Sequence, residues 1–397
     1  MSQALDPVAL TGQVWLRPGA ALPGIRSTRP NLAPRLADGR APCDIPDLLA
    51  SLFSLCGHAH RFTARRALAA ARGRPDDVRP DEIRTLQACT ARDQVQRIAH
   101  DWPRLLPRIG AGPEGIERHG RDAPQVDTAA ARSAMTSLRS NPLWRPDLGV
   151  ADQLAALPAW LEHHWLGMPM AAWLRRFEAD PRAWPLHWAA GGNSALACTL
   201  HAQGLLADRL ATPTVPNHLL VSPEQSMPWL ARCMADEPGF CSQPHWQGAV
   251  PDTGPWNRRH DASGPSVDNA TMRLSARIVE VLRLASPVGG QWLAHGALSL
   301  GPREGIAWTE MARGLLIHWV RLDGRADAPR AEAYRVLAPT EWNFHPHGVL
   351  ARALATLRGP QAAADAARLA VAFDPCVEFV VQPATAAVAP QAEPRHA

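Results

Sequence analysis

Residues 39–67 read GRAPCDIPDLLASLFSLCGHAHRFTARRA. From Asp47 the pattern turns helical: Leu48, Leu49, Leu52, Leu55, Cys56 and Ala59 recur at helical spacing, with Asp44 or Asp47 near the N-terminus. The run ends at Gly73-Arg74-Pro75. Cys56 and His60 are four apart, so the spacing predicts one shared helix face, while His58 faces elsewhere. Thiolate and imidazole are ligands for soft and borderline transition metals. A lone cysteine on an apolar face is more often a small core residue, so spacing alone does not make a metal site.

Outward from this stretch the pattern is mostly helical. Residues 82–100 give a second helical run, broken by Pro103; residues 151–178, 194–210 and 266–285 read as helices, with Trp-rich connections between them. Residues 312–322 and 330–337 read as two strands of a hairpin around Asp323-Gly324. Residues 348–357 and 362–371 return to helical spacing. Val14-Trp15-Leu16, in a Pro- and Gly-rich start, reads as a short strand. The expected fold class is mostly α with a small antiparallel β part (α+β). One domain over residues 1–382 is expected, with a disordered Ala, Pro and Gln tail at 383–397.

All 41 basic residues are Arg; without lysine there is no Schiff-base chemistry and no Walker P-loop. The net charge of +4 is small for 397 residues, and Arg and acidic residues are interspersed, which argues against nucleic-acid binding. The most apolar stretch, residues 155–174, contains Glu162, His163 and His164, so no membrane span is expected. The seven cysteines are odd in number and form no CxxC pair, and no signal peptide is recognisable. A cytoplasmic, reducing setting with free thiols is expected. Gly110, Gly112 and Gly115 spell GxGxxG, but Pro113 inside it and Pro107 before it favour a turn. His163-His164 and the pair His345, His347 lack helical i, i+4 spacing and an acidic companion, which favours capping or solvent-facing roles.

Four motifs in order carry a resemblance to the large subunit of [NiFe]-hydrogenases. Residues 39–67 are similar to its first active-site region, which runs like GRDPRDAP…RICGVCxxxHxxAxxRA. Gly39, Arg40, Pro42, Asp44 and Pro46 match the approach, Cys56 the second cysteine, His60 the histidine four further on and Arg66 the later arginine. The first cysteine falls on Phe53. EMARG at 310–314 with Ile317-His318-Trp319-Val320 resembles EAPRG and GHWV, and APTEWN at 338–343 resembles VPTTWN. FDPC at 373–376 matches the start of FDPCxxCxxH, whose second cysteine falls on Phe379 and whose histidine falls on Gln382. The match covers residues 39–72 and 266–382 and is faint between them.

The resemblance implies a large-subunit-like fold. It implies that Cys56 and Cys376 are the retained metal ligands, with Phe53 and Phe379 lining or plugging the position of nickel. His60 would donate to a cysteine sulfur, and Arg313, Pro339 and Thr340 would surround the diatomic ligands on iron. Two thiols cannot build the family's four-thiolate centre, and its glutamate motif for proton transfer is not recognisable. Hydrogen turnover is therefore not expected, and without the terminal histidine neither is maturation cleavage. The pattern resembles the HupK-type hydrogenase expression/formation proteins. That implies a non-catalytic accessory protein carrying an Fe(CN)2CO fragment transiently, with the hydrogenase large subunit and other maturation proteins as partners. The competing expectations are a metal-free interaction protein that binds those same partners and a small metalloenzyme of unknown chemistry.

Overall fold

The structure is a computed structural model that describes residues 11–53, 55–74, 76–107, 136–216, 218–258, 267–325 and 327–382. The expected tail at 383–397 and the glycines at 110–115 lie outside the described residues. Val14–Leu16 (β1) pairs antiparallel with Ile25–Ser27 (β2). The chain then enters Leu32–Ala37 (α1), Ile45–Leu52 (α2), Gly57–Ala71 (α3) and Pro80–Gln96 (α4). Helix α4 continues through a π-helical turn, Arg97–Asp101, into Trp102–Leu105, where Pro103 occupies a first-turn position that needs no N–H donor.

The helical run expected from Asp47 to the stop at Gly73-Arg74-Pro75 is two helices. The chain turns at Phe53, and Cys56, with φ −140° and ψ 23°, is the N-cap of α3. The physical reason for a glycine at 57 is proximity: a Cβ there would collide with the backbone of Ala50. Helical spacing therefore persists across a real break, because both helices bury their apolar faces in the same core.

Val150–Leu161 (α5), Met170–Ala179 (α6), Ala183–Gly191 (α7) and Ala195–Asp208 (α8) follow. The expected helix over 151–178 is interrupted by a π turn and by Gly167 in the left-handed region. Ser194 caps α8, accepting from the Ala197 amide at 3.1 Å. Pro223–Asp236 (α9), which the sequence reading passed over, precedes the central Ala270–Leu284 (α10). Asn269 caps α10 through Met272.

Four strands then form an antiparallel sheet: His295–Gly301 (β3), Glu304–Met311 (β4), Gly314–Leu322 (β5) and Ala331–Leu337 (β6). The expected β5–β6 hairpin is present, and β3 and β4 add to it. The strand expected from residue 312 starts at Gly314, because Ala312-Arg313 is the tight turn between β4 and β5. On β5 the side chains alternate: Leu316 and Val320 join the main core, whereas Leu315, Ile317 and Trp319 join a second core under α9. The first face packs on α3, where Gly305 of β4 meets the backbone of Ala67 and Ala71. Pro339–Asn343 (α11), Val349–Thr356 (α12) and Ala362–Phe373 (α13) follow. Phe379–Val381 (β7) then pairs with β1, parallel, Val14 opposite Phe379. The architecture is mostly α with small, chiefly antiparallel sheets.

Candidate functional site

Four breaks in regular structure converge on one pocket. The first is the α2–α3 break, which carries Cys56. The second is the turn after α13: Asp374 takes a left-handed φ of 58°, costly for a non-glycine residue, and Pro375 and Cys376 follow. The β4–β5 turn brings Arg313, and the start of α11 brings Pro339 and Thr340. Cys56 and Cys376 keep partial exposure and are free thiols. Each lies within electrostatic reach of the other and of Arg313. The Thr340 hydroxyl donates to Cys376 Sγ at 3.2 Å. Pro339 is buried at the first turn of α11, where its missing N–H costs nothing.

Beneath the thiols lies a buried ionic cluster. Asp374, 2 % exposed, pairs with Arg97, with Arg277 at 3.1 Å and with Arg313 at 3.6 Å. Burial pushes its carboxyl up, but the three guanidiniums outweigh that and hold it below the usual carboxylate range. Arg97 also donates to the Pro375 carbonyl at 3.0 Å, fastening the loop that carries Cys376. The β4–β5 turn is held as firmly: Gln94 and Arg277 both donate to the Ala312 carbonyl, at 2.7 and 3.2 Å. Arg313 is 4 % exposed, yet its Nε and Nη1 have no hydrogen-bond acceptor among the described residues. Burial opposes its charge; Asp374 first, with Asp93, more than restores it. Burial pushes the Cys56 thiol up to about 12, with Arg313 pulling the other way.

Three charged groups here escaped the sequence reading. Arg29, just after β2, forms a part-buried ion pair with Glu341 of α11 and lies within electrostatic reach of Cys376, Cys56 and Arg313. Asp93 of α4 also faces Arg313 and Cys56, and burial raises its carboxyl to about 7. Nothing in the local sequence around Arg29 or Asp93 signals the pocket. Glu341 lay inside a quoted motif without a role.

On the far side the wall is neutral. Phe53 stacks on His60, ring centroids 4.0 Å apart and 16° from parallel. The expected bond from His60 to a cysteine sulfur is replaced by another: His60 Nδ1 meets His318 Nε2 at 3.0 Å, and His318 Nδ1 meets the Tyr334 hydroxyl at 2.7 Å. His318 is reached because β5 alternation points it toward α3. Burial, then Arg29, lowers His60 to about 3; burial, then His60, holds His318 well below the usual histidine range. Phe379 sits in β7 within the main core, 2 % exposed. Arg66 lies away from the thiols, bridging Asp76 and His295 Nδ1. Among the described residues no group of three or more His, Cys, Asp or Glu side chains is arranged to cage a metal ion. None of the helices is long and apolar enough to cross a membrane, the described residues being those searched.

These features define a mostly helical α+β protein with a two-thiol pocket set on a buried arginine cluster. No family model matches the chain. It is 37 % identical, over 94 % of its length and 96 % of the relative, to the hydrogenase expression/formation protein HoxV of Cupriavidus necator. It is 31 % identical to the hydrogenase expression/formation protein HupK of Rhizobium leguminosarum bv. viciae, over 90 % of this chain and 91 % of that one. The chain belongs to this HoxV/HupK family of hydrogenase expression/formation proteins. Among solved structures, the Ni-Fe-Se hydrogenase of D. vulgaris Hildenborough is similar at 15 % identity and a TM-score of 0.49, covering 88 % of this chain and 92 % of that one.

Proposed function

We propose that this protein is a cytoplasmic accessory factor of [NiFe]-hydrogenase maturation. It holds an Fe(CN)2CO fragment on Cys56 and Cys376 before the fragment passes to the large subunit, with other maturation proteins as partners. The observation that carries this reading is Arg313: a buried guanidinium whose Nε and Nη1 lack hydrogen-bond acceptors among the described residues, within electrostatic reach of two thiols. Asp374 balances the charge, but buried N–H donors without acceptors are costly, and a ligand bearing acceptor atoms would offset that cost.

The donor set fits such a cargo. Two thiolates supply soft ligands for iron and leave the remaining coordination positions to cyanide and carbon monoxide. Arg313 offers donors to a cyanide nitrogen. Thr340 supports the Cys376 sulfur, and Pro339 adds an apolar surface suited to carbon monoxide. Burial disfavours the Cys56 thiolate, so metal binding there releases a proton. His60 acts through its stack with Phe53 and its bond to His318, fixing the helix start that positions Cys56. Nothing in this donor set supplies the four thiolates that hydrogen turnover uses in the large subunit.

Infrared spectroscopy of protein isolated anaerobically from its own host tests the reading. Cyanide and carbonyl stretches that disappear in the Cys56→Ser and Cys376→Ser variants are the expected result. A wild-type protein lacking these bands overturns the scaffold and leaves the metal-free interaction protein in its place.

A further inference from the structure

We infer that Arg29, pinned by Glu341, is a second cationic donor for the cargo, facing the thiols from a different element than Arg313. The inference rests on the scaffold reading and adds a recognition residue to it. Two observations lead to it. First, Thr340 has only one hydroxyl proton, and the structure commits that proton to Cys376 Sγ. A fragment with two cyanides presents two terminal nitrogens that take donors, and Arg313 supplies them from one element, the β4–β5 turn. Second, Arg29 is an internal cation with capacity to spare. Its side chain is 12 % exposed, and among the described residues its side-chain hydrogen bonding is a single contact, Nη1 to Glu341 Oε1. The rest of the guanidinium fork stays available while its charge faces Cys376 and Cys56.

The local charge balance points the same way. Arg29, Arg97, Arg277 and Arg313 face the carboxylates of Asp374, Glu341 and Asp101. Four guanidiniums against three carboxylates leave the site with an excess of positive charge. A cargo whose outer atoms are anionic cyanides, bound through thiolates, balances it. Glu341 is a positioning residue: it touches Arg29 and holds the fork against the thiols. Burial raises the Glu341 carboxyl and Arg29 opposes that rise, so the two depend on one another.

The experiment compares four proteins isolated anaerobically from the native host: wild type, Arg29→Lys, Glu341→Gln and the double variant Arg29→Met with Glu341→Gln. The double variant removes the pair together and so leaves no buried carboxylate alone. Infrared cyanide bands are read per polypeptide, with the thermal midpoint of each protein. The double variant is expected to lose roughly tenfold in band intensity, the worth of one charge-assisted hydrogen bond, and to shift the surviving cyanide frequencies. Arg29→Lys is expected to recover much of the intensity, and Glu341→Gln to fall between. If wild type carries the bands and the double variant matches it in intensity and frequency, Arg29 has no role in recognition, while the scaffold reading stands. A loss that Arg29→Lys does not reverse, accompanied by a lowered midpoint, assigns Arg29 to the fold and overturns the inference. Absence of bands from wild type removes the scaffold reading and this inference together.

Discussion

The two walls of the pocket are built on opposite principles. One is ionic: Asp374 gathers Arg97, Arg277 and Arg313, and Arg29 holds Glu341. The other is neutral: Phe53, His60, His318 and Tyr334 form a stack continued by hydrogen bonds. Both are buried, so the difference lies in how each satisfies its polar atoms. The ionic wall tolerates burial because every carboxylate has a guanidinium; the neutral wall tolerates it because no group carries charge. An anionic ligand would sit against the first, while the second fixes where Cys56 begins its helix.

The largest expected effect falls on the thiols between the walls. Cys56→Ser and Cys376→Ser should each abolish maturation of the partner hydrogenase, at a folding cost of only about 1–2 kcal/mol. Hydrogenase activity and large-subunit processing in the variant strains measure the first, denaturant titration the second. Normal maturation in both strains, with the protein at its usual level, would sink the scaffold. Arg313→Ala should impair maturation less, since the sulfur ligands remain.

Asp374→Asn tests the ionic wall. It leaves three buried guanidiniums without their shared carboxylate, and we expect a loss of roughly 3–5 kcal/mol in urea unfolding. His318→Phe tests the neutral wall and should cost about 1–3 kcal/mol, since it orphans only uncharged partners. If the two costs came out equal, the contrast between the walls would be wrong.

The pH dependence sharpens the same contrast. An unfolded chain protonates its histidines near 6.5, whereas folded His60 waits until about 3 and His318 also lies well below 6.5. Between those values the unfolded state binds more protons, so stability falls on acidification by about 1.4 kcal/mol per pH unit for each histidine. Asp93 works in the opposite sense. Raised from 3.8 to about 7, it holds a proton that the unfolded chain releases, and so offsets part of the loss between pH 7 and 4. The lowered carboxyl of Asp374 contributes stability that is lost only below 3.8. Urea midpoints at pH 7, 6 and 5 should therefore decline in the wild type and decline less in His318→Phe. An unchanged slope would mean that His318 is not held neutral.

The smallest expected effect is Phe53→Leu, about 1 kcal/mol or less, from loss of the ring stack on His60. A larger loss in thermal unfolding would make Phe53 a principal support of the α2–α3 break.

The spacing of Leu48 to Ala59 was legible because both helices bury their apolar sides in one core. The break at Phe53 was not, since it depends on Gly57 touching Ala50 across the turn. The β5–β6 hairpin was read from two strand-like runs around the Asp323-Gly324 turn. Strand β3, His295–Gly301, contains two glycines and a serine, and becomes a strand because β4 pairs with it. Helix α9 went unread; it packs under the second face of the sheet, a partner distant in sequence.

By itself the sequence determined the residue types: four motifs in order, two cysteines where four would stand, and arginine as its only permanent cation. Those are local matters of spacing and identity, and they sufficed for the family. What joins Cys56 to Cys376, brings Arg29 and Asp93 beside them and turns His60 toward His318 was decided by tertiary structure alone. The reason is burial. A cation or carboxylate chosen by its charge has no sequence period, and it becomes part of a site only when packing removes water and leaves it one set of partners.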